Sequence, residues 1–296
     1  MSPKKTKGRA ATKRPAFIAT EKQARSHLIP LIGRLQRLPY WLLAAILLAL
    51  LALWSIITTS DLRVIFLSTI QGLGTTLYVS AISYICAAII GLGVAILRVS
   101  PHRLFREVAS FYVEIIRGIP MLVILAYIAF VGAPAIIMGL NWLFHPLIAA
   151  GVIPEFQIRA FDFTARAILA LTLGYSAFIS EIFRGGIESV DKGQLEAALA
   201  LGLKRGQAMR RIVLPQAFRY VLPPLGNELV SMIKDSALVS ALGVQDISQL
   251  GKLYAASNFK YLETYNIVTF LYLTLTITLS LLTRRLENFL KRKQGN

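Results

Sequence analysis

Residues 193–215 read GQLEAALALGLKRGQAMRRIVLP, and this basic stretch separates two apolar segments of the chain. Its leucines at 195, 199 and 203 recur every four residues, which predicts a short helix over about 194–203 with one apolar stripe. Seven residues follow the spacing E-A-A-x3-G-x9-I-x-L-P, namely Glu196, Ala197, Ala198, Gly202, Ile212, Leu214 and Pro215. The complete spacing favours a specific docking element over the alternative, an ordinary amphipathic helix lying on a membrane.

The predicted helix carries small residues where a partner would touch it. We expect Ala197, Ala198 and Gly202 to leave a face with little side-chain bulk, which lets a helix approach closely to a groove on another protein. Glu196 adds a charge near the helix N-terminus, where the helix dipole favours it. Pro215 is expected to limit the continuation of the helix. The stretch is therefore a candidate contact site.

The composition indicates a membrane protein. Of 296 residues, 55% are hydrophobic and 16% charged, which is too apolar for a typical soluble domain and too long for a single anchor. A helix needs about 20 residues to cross the hydrocarbon core. Small residues at 87, 91 and 95 predict close helix packing. We predict an all-α polytopic fold with an interfacial segment at 64–74 and six spans, at 40–57, 75–97, 110–137, 164–182, 220–242 and 264–283.

Basic residues predict the orientation of these spans. Residues 1–38 hold ten Lys or Arg and one acidic residue, and we expect this tail to be disordered because it has little apolar surface to bury. If the tail is cytoplasmic, the inner segments hold 25 Lys or Arg and the outer ones four. The formal charge of +17 thus fits a topology with both termini inside, including the basic C-terminal segment 289–296.

Charged residues within apolar spans mark structural pairs or functional sites. Glu114 and Arg117 are three residues apart and are expected to pair, with a role along a substrate pathway as the alternative. Glu181 lies three residues before Arg184, and we expect these two to pair as well, again with a role along a substrate pathway as the alternative.

A second group of polar residues falls in the predicted fifth span. Lys234 and Asp235 are adjacent and point about 100° apart around a helix, so at least one needs a partner on another helix or in a water-filled cavity. Asn227 lies about two turns earlier. We expect this helix to line a pathway. A more specific hypothesis is that these residues contact the solute directly.

Several other functions find little support in the sequence. No G-x-x-x-x-G-K-[ST] loop is present to cradle phosphates, and no arrangement of catalytic residues or metal-ligand spacing is visible. We therefore predict a subunit that is not an enzyme and binds no cofactor. The basic tail raises a nucleic-acid binder as an alternative, but a positive-inside signal or a contact with anionic lipid explains it more simply.

Three blocks of sequence resemble one transporter family. They are GLGTTL at 72–77, YVEIIRGIP at 112–120, and a long block running from YSAFISEIFRGGI at 175–187 through GQLEAA at 193–198 to LPQAFR at 214–219. The chain is similar over about 68–288 to permease subunits of polar amino acid ABC importers, the histidine, glutamine, arginine and opine type. It departs from them in its tail, in an additional helix at 39–58, and in Ile119, where the family often has Thr.

The resemblance implies a fold and a mechanism. The fold is that of type I ABC importer permeases, with five core spans, here preceded by one extra N-terminal span. The 184–219 loop is the coupling loop of such a permease. The implied partners are ATPase subunits that bind ATP and Mg²⁺, an extracytoplasmic solute-binding protein, a second permease subunit and membrane lipid, in a bacterial inner membrane. A secondary transporter or channel without an ATPase is the alternative function.

Overall fold

The computed structural model describes residues 40–292, with side chains through residue 288. The described part is helical without strands, which confirms the predicted all-α fold. The predictions for the tail 1–38 and for the side chains of 289–296 lie outside the described residues. The chain divides into two compact units, Met1–Ser55 and Ile56–Asn296.

Residues 40–55, the described part of the first unit, belong to one apolar helix. Helix α1 (Tyr40–Thr58) has 19 residues and no charged side chain. At about 1.5 Å per residue it is about 28 Å long, close to the thickness of a hydrocarbon core. This helix is the additional N-terminal span that the sequence predicts.

The second unit is a succession of helices joined by short turns. In chain order they are α2 (Ser60–Ile70), α3 (Leu73–Arg98), α4 (Arg103–Gly118), α5 (Met121–Tyr127), α6 (Ala133–Leu143), α7 (His145–Ala149), α8 (Phe163–Glu188), α9 (Lys192–Ala200), α10 (Arg205–Ala208), α11 (Leu214–Asp235), α12 (Ile247–Asn258) and α13 (Tyr261–Arg292). Single π-helical turns connect α5 to α6 and α10 to α11, and 3-10 turns follow α11 and precede α8.

Helix α8 is the centre of the second unit. It packs most extensively against α3 and also contacts α4, α5 and α11. The small residues predicted to allow close packing lie at the first of these contacts: Ala87, Gly91 and Ala95 are all buried. A Cβ built on Gly91 would lie 2.9 Å from the carbonyl oxygen of Ser176 in α8. The two backbones are therefore as close as a glycine allows.

The boundaries of the predicted third span are wrong, and the predicted interfacial segment contains a helix. The third span, expected over 110–137, is divided because the chain turns out of the helix at Ile119–Pro120, and Pro lacks the backbone donor that would continue it. Helix α4 is consequently a separate amphipathic helix, and the apolar span is Met121–Leu143. The segment expected to be interfacial at 64–74 instead contains helix α2, which packs against α12 and α13.

Five helical segments of the described chain are long and apolar enough to cross a membrane. They are Tyr40–Thr58, Ser60–Arg98, Met121–Leu143, Phe163–Glu188 and Tyr261–Asn288. The predicted fifth span corresponds to α11 and the 3-10 turn after it. Helix α11 is 22 residues long but carries Pro223, Pro224 and several charged residues, so its apolar character is lower than that of the other spans.

A buried apolar cluster joins α2, α12 and α13. Ile65, Ile247 and Ile267 form its interior. The turn before α12 holds the buried carboxyl of Asp246, which accepts hydrogen bonds from the Gln249 amide at 2.8 Å and from the Tyr272 hydroxyl at 3.0 Å. Burial raises the pKa of the Asp246 carboxyl above its usual range, against the lowering effect of these donors.

Candidate functional site

The helix in the EAA-type stretch is short and firmly capped. We call α9 the loop helix. At its start, Asp191 accepts a hydrogen bond from the Gly193 amide at 2.6 Å. At its end, Gly202 adopts a left-handed conformation with φ of 82°, and its amide donates to the Leu199 carbonyl at 2.9 Å. The Leu203 amide donates to the Ala198 carbonyl at 3.1 Å, which completes a Schellman-type cap.

This geometry changes the predicted roles of two small residues. Ala198 is buried against the rest of the chain, so it is not part of an outer face. Gly202 ends the helix, because only glycine adopts its backbone conformation without strain. Leu203 accordingly lies past the end of the helix rather than on its stripe. The exposed residues of the loop helix are Lys192, Gly193, Gln194, Glu196, Ala197, Leu199 and Ala200, and Leu201 just after its end is also exposed.

The second half of the motif, Ile212, Leu214 and Pro215, lies at the start of α11 and in the turn before it. Ile212 is half-buried in the π-helical turn Met209–Val213, and Leu214 is half-buried at the start of α11. Leu195 and Leu214 pack on a small cluster that contains Ile187 and Val213. Pro215 lies in the first turn of α11, where a missing amide is tolerated. The expectation that Pro215 limits a helix is wrong, since the helical backbone continues from the π turn through Pro215 into α11.

The intramembrane polar residues of α11 fall on two faces. Asp235 is half-buried and accepts a hydrogen bond from the hydroxyl of Tyr175 in α8 at 2.8 Å, which confirms that it has a partner on another helix. Lys234 and Asn227 lie on an exposed face. Their separation of seven residues places them two turns apart on the same side.

Sequence reasoning missed Glu228. This half-buried residue precedes Asp235 by seven positions, so both carboxyl groups occupy the same inner face of α11. The hydroxyl of Tyr84 in α3 donates to the Leu225 carbonyl of α11 at 2.8 Å. The seven-residue spacing from Asp235 was the signal that could have identified Glu228.

A third polar group surrounds Glu181 near the end of α8. The predicted pair with Arg184 is present, with a closest N–O distance of 2.8 Å. Arg98, at the end of α3, also forms an ion pair with Glu181. Arg117, at the end of α4, approaches the same carboxylate at 3.5 Å. The predicted pair between Glu114 and Arg117 is wrong, because Arg117 turns to α8 while Glu114 is exposed.

Comparison with known proteins identifies the family of this arrangement. Residues 87–294 match the family described as the inner membrane component of binding-protein-dependent transport systems. The match includes the loop helix, α11 and the Glu181 group, and begins within α3.

Curated relatives cover most of the second unit. The chain is 38% identical over 217 residues to a probable amino-acid permease protein, YxeN, of Bacillus subtilis (strain 168), covering 73% of this chain and 88% of the relative. It is 34% identical over 222 residues to the arginine transport system permease protein ArtQ of the same organism, covering 75% and 92%. It is 35% identical over 222 residues to the glutamine transport system permease protein GlnP of Escherichia coli (strain K12), also covering 75% and 92%.

Solved structures agree with the fold. A crystal structure described as an amino acid ABC transporter with histidines is 34% identical and superposes with a TM-score of 0.61, covering 75% of this chain and 93% of that chain. The inward-facing MetNI methionine ABC transporter, at 21% identity, superposes with a TM-score of 0.60 over 79% of this chain and 99% of that chain, and this shows the fold alone. The chain belongs to the binding-protein-dependent transport system inner membrane components, and it is the permease component of an amino acid ABC importer.

Proposed function

We propose that the chain forms the pathway of an ATP-driven importer for polar amino acids and is driven through its loop helix by a separate ATPase. In this proposal the ATPase subunits bind ATP and Mg²⁺, a solute-binding protein delivers the amino acid from outside, and a second permease subunit, identical or paralogous, completes the pathway. The single observation that carries the proposal is a capped helix, exposed at Glu196, Ala197 and Ala200, that is attached directly to the central helix α8.

The connection between the loop helix and α8 supports a mechanical role. Only residues 189–191 separate the two helices. Within this connection Val190 is buried, and its neighbour Asp191 caps the loop helix. We therefore expect a displacement of the loop helix to be transmitted directly to α8. Glu196 and Ala197 face outward, where a groove of an ATPase subunit could bind them.

The polar faces of α11 support a pathway role. Exposed Lys234 and Asn227 would be costly against lipid, so we assign their face to a water-filled space shared with the second permease subunit. An amino acid carries one carboxylate and one ammonium group. Lys234 is suited to the carboxylate, and Asp235, held by Tyr175, is suited to a cationic group.

The names of the relatives favour polar amino acids as the substrates. Two of them are transport systems for arginine and glutamine, and the structurally similar amino acid transporter was crystallised with histidines. These three amino acids share polar side chains that carry nitrogen. We extend this substrate class to the present chain on the basis of that similarity.

The proposed setting is a bacterial inner membrane with both termini in the cytoplasm. With α11 counted as a span, the chain crosses six times, which keeps both basic terminal segments on one side. The loop helix then lies on the cytoplasmic side, where ATP is available. The basic tail contacts anionic lipid in this arrangement.

Co-purification of an ATPase subunit tests the proposal. The tagged chain is extracted from its host in mild detergent, and the accompanying subunits are identified by mass spectrometry. We expect an ATP-binding-cassette subunit with the wild-type chain and its loss in Ala197→Trp, which adds bulk to the outer face of the loop helix. Ala150→Trp is the matched control because Ala150 is equally an exposed alanine, but lies in the loop between α7 and α8. ATP-independent uptake with no such subunit would instead support the secondary transporter.

A further inference from the structure

Glu181 connects α8 to two earlier helices, α3 and α4. Its carboxylate receives Arg98 from the end of α3, Arg117 from the end of α4 and Arg184 from the next turn of α8. Arg98 and Glu181 are mostly buried, with side-chain exposures of 11% and 19%. One acidic group thus fixes the adjoining ends of α3, α4 and α8.

The Glu181 group continues toward the loop helix. Arg184 also pairs with Glu188 at 2.6 Å, and Glu188 is the last residue of α8. The connection to the loop helix begins at Ser189, whose hydroxyl donates to the Gly186 carbonyl at 2.7 Å. Ion pairs therefore extend from Glu181 to the last residue of α8, and three residues separate that end from the loop helix.

The same group continues in the opposite direction toward α11. The Arg117 guanidinium lies 5.6 Å from the centre of the Phe178 ring, within the range of a cation–π contact. The rings of Phe178 and Tyr175 are 6.2 Å apart, and the Tyr175 hydroxyl reaches Asp235. Tyr175, Phe178, Glu181 and Arg184 occupy successive turns of α8, so each is a neighbour of the next.

The arginines around Glu181 differ in their exposure and in their distance from its carboxylate. Loss of its charge would leave Arg98 buried without a counter-ion, which is costly in a partly buried site. The outermost partner, Arg117, is more exposed at 42% and more distant, so it is the partner that can separate while Arg98 stays paired. The group therefore has one fixed and one releasable contact.

We propose that Glu181 is a positioning residue for transport, which holds α3 and α4 to α8 so that movement of the loop helix reaches Asp235. This assignment rests on the proposed function, because it requires an ATPase that moves the loop helix. It extends the expected pair of Glu181 with Arg184 and differs from the alternative in which Glu181 lines a substrate pathway. Release of Arg117 during the transport cycle would allow the end of α4 to move separately from α3.

The test uses Glu181→Gln, which keeps the size of the side chain and removes its charge. The wild-type and variant complexes, with the subunits that co-purify, are reconstituted in liposomes. Uptake of radiolabelled L-arginine, L-glutamine and L-histidine is measured together with ATP hydrolysis. We expect Glu181→Gln to reduce uptake per ATP on the order of 10-fold, a typical size for coupling between sites, while the ATPase subunit stays bound. Glu107→Gln is the control, because Glu107 is exposed and its ion pair, at 3.9 Å, is with Arg103 of the same helix, α4.

A second variant separates coupling from folding. Arg117→Gln removes the releasable partner and leaves the pairs of Glu181 with Arg98 and Arg184 in place, so assembly is retained. We expect a smaller loss of uptake per ATP in this variant. An unchanged ratio in Arg117→Gln overturns the assignment, even if Glu181→Gln does not assemble. The assignment is also overturned if Glu181→Gln lowers the melting temperature but leaves uptake per ATP unchanged, because that result shows a purely structural role.

The wild-type complex distinguishes the two proposals. Wild-type liposomes that take up none of the three amino acids in response to ATP overturn the proposed function and the role of Glu181 with it. ATP-driven uptake by the wild type with an equal ratio in both variants overturns the role of Glu181 alone.

Discussion

Substitution of Gly91 by alanine tests how closely α3 and α8 must approach. The added Cβ would lie 2.9 Å from the Ser176 carbonyl oxygen, 3.0 Å from Ile179 Cγ2 and 3.1 Å from the Ser180 amide nitrogen. Carbon atoms are normally about 3.5–4.0 Å from such neighbours, so the helices must separate by about 0.5 Å. Two of the three neighbours are backbone atoms, which cannot rotate away.

Gly93 provides a matched control on the same helix. A Cβ built on Gly93 meets nothing within 4 Å. Replacement of a helical glycine by alanine favours the helix by about 1 kcal/mol at either position. At Gly91 this gain is opposed by overpacking, which costs about 1–3 kcal/mol. We expect Gly91→Ala to be less stable than Gly93→Ala by about 1–3 kcal/mol, equal to the overpacking cost.

The difference is measured as a melting temperature in detergent. Each protein is heated, and the fraction that remains monodisperse on gel filtration is followed. A change of 1 kcal/mol corresponds to about 2–4 °C for a domain of roughly this size, so we expect the two variants to differ by about 2–12 °C. Equal melting temperatures for Gly91→Ala and Gly93→Ala would refute the view that the small residues of α3 set its distance from α8.

Three further predictions concern the loop helix, the pathway and the buried carboxyl. Gly202→Ala places a Cβ at a φ of 82°, which costs about 1–2 kcal/mol and loosens the loop helix, so less ATPase subunit should co-purify than with Gly206→Ala; equal recovery would contradict the role of the cap. Tyr175→Phe removes the donor to Asp235 and should lower stability by about 1–3 kcal/mol, and a double-mutant cycle with Asp235→Asn that proves additive would argue against the contact. Because burial raises the pKa of Asp246 in the folded chain, the folded state binds this proton more tightly than the unfolded state. Stability should therefore increase as pH falls through the folded pKa toward the ordinary value of an Asp carboxyl, about 4, and be lost as pH rises through the folded pKa. Asp246→Asn should remove this part of the pH dependence of the melting temperature, and an unchanged profile would show that another group causes it.

Local patterns in the sequence predicted the helices well. Apolar runs of about 20 residues can satisfy their backbone groups in a membrane only as helices, so their existence does not depend on distant contacts. The spacing of small residues around Gly91 likewise predicted a close approach that the structure contains. The break at Pro120 had a local signal in the proline itself, but the uncharged run that continues past it concealed the end of α4.

The partners of polar side chains were less predictable. The pair of Glu181 with Arg184 is local to one helix turn, and it was predicted. The contacts of Glu181 with Arg98 and Arg117 join residues 83 and 64 positions apart, and no spacing rule covers such distances. Arg166 is a further example: it is buried and donates to the carbonyls of Phe161 at 2.7 Å and Ala129 at 3.2 Å.

By itself the sequence determined that this protein is helical, where most of its apolar spans lie and which stretch carries the EAA-type motif, since these depend on short-range hydrophobicity, charge and spacing. Only the tertiary structure decided which side of each helix is used. It turned Ala198 inward, made Gly202 a cap and turned the shared face of Glu228 and Asp235 toward the interior, because the rotation of a helix is set by the close packing of its neighbours. The same packing brought Arg98 and Arg117 to Glu181, which already pairs with Arg184 of its own helix.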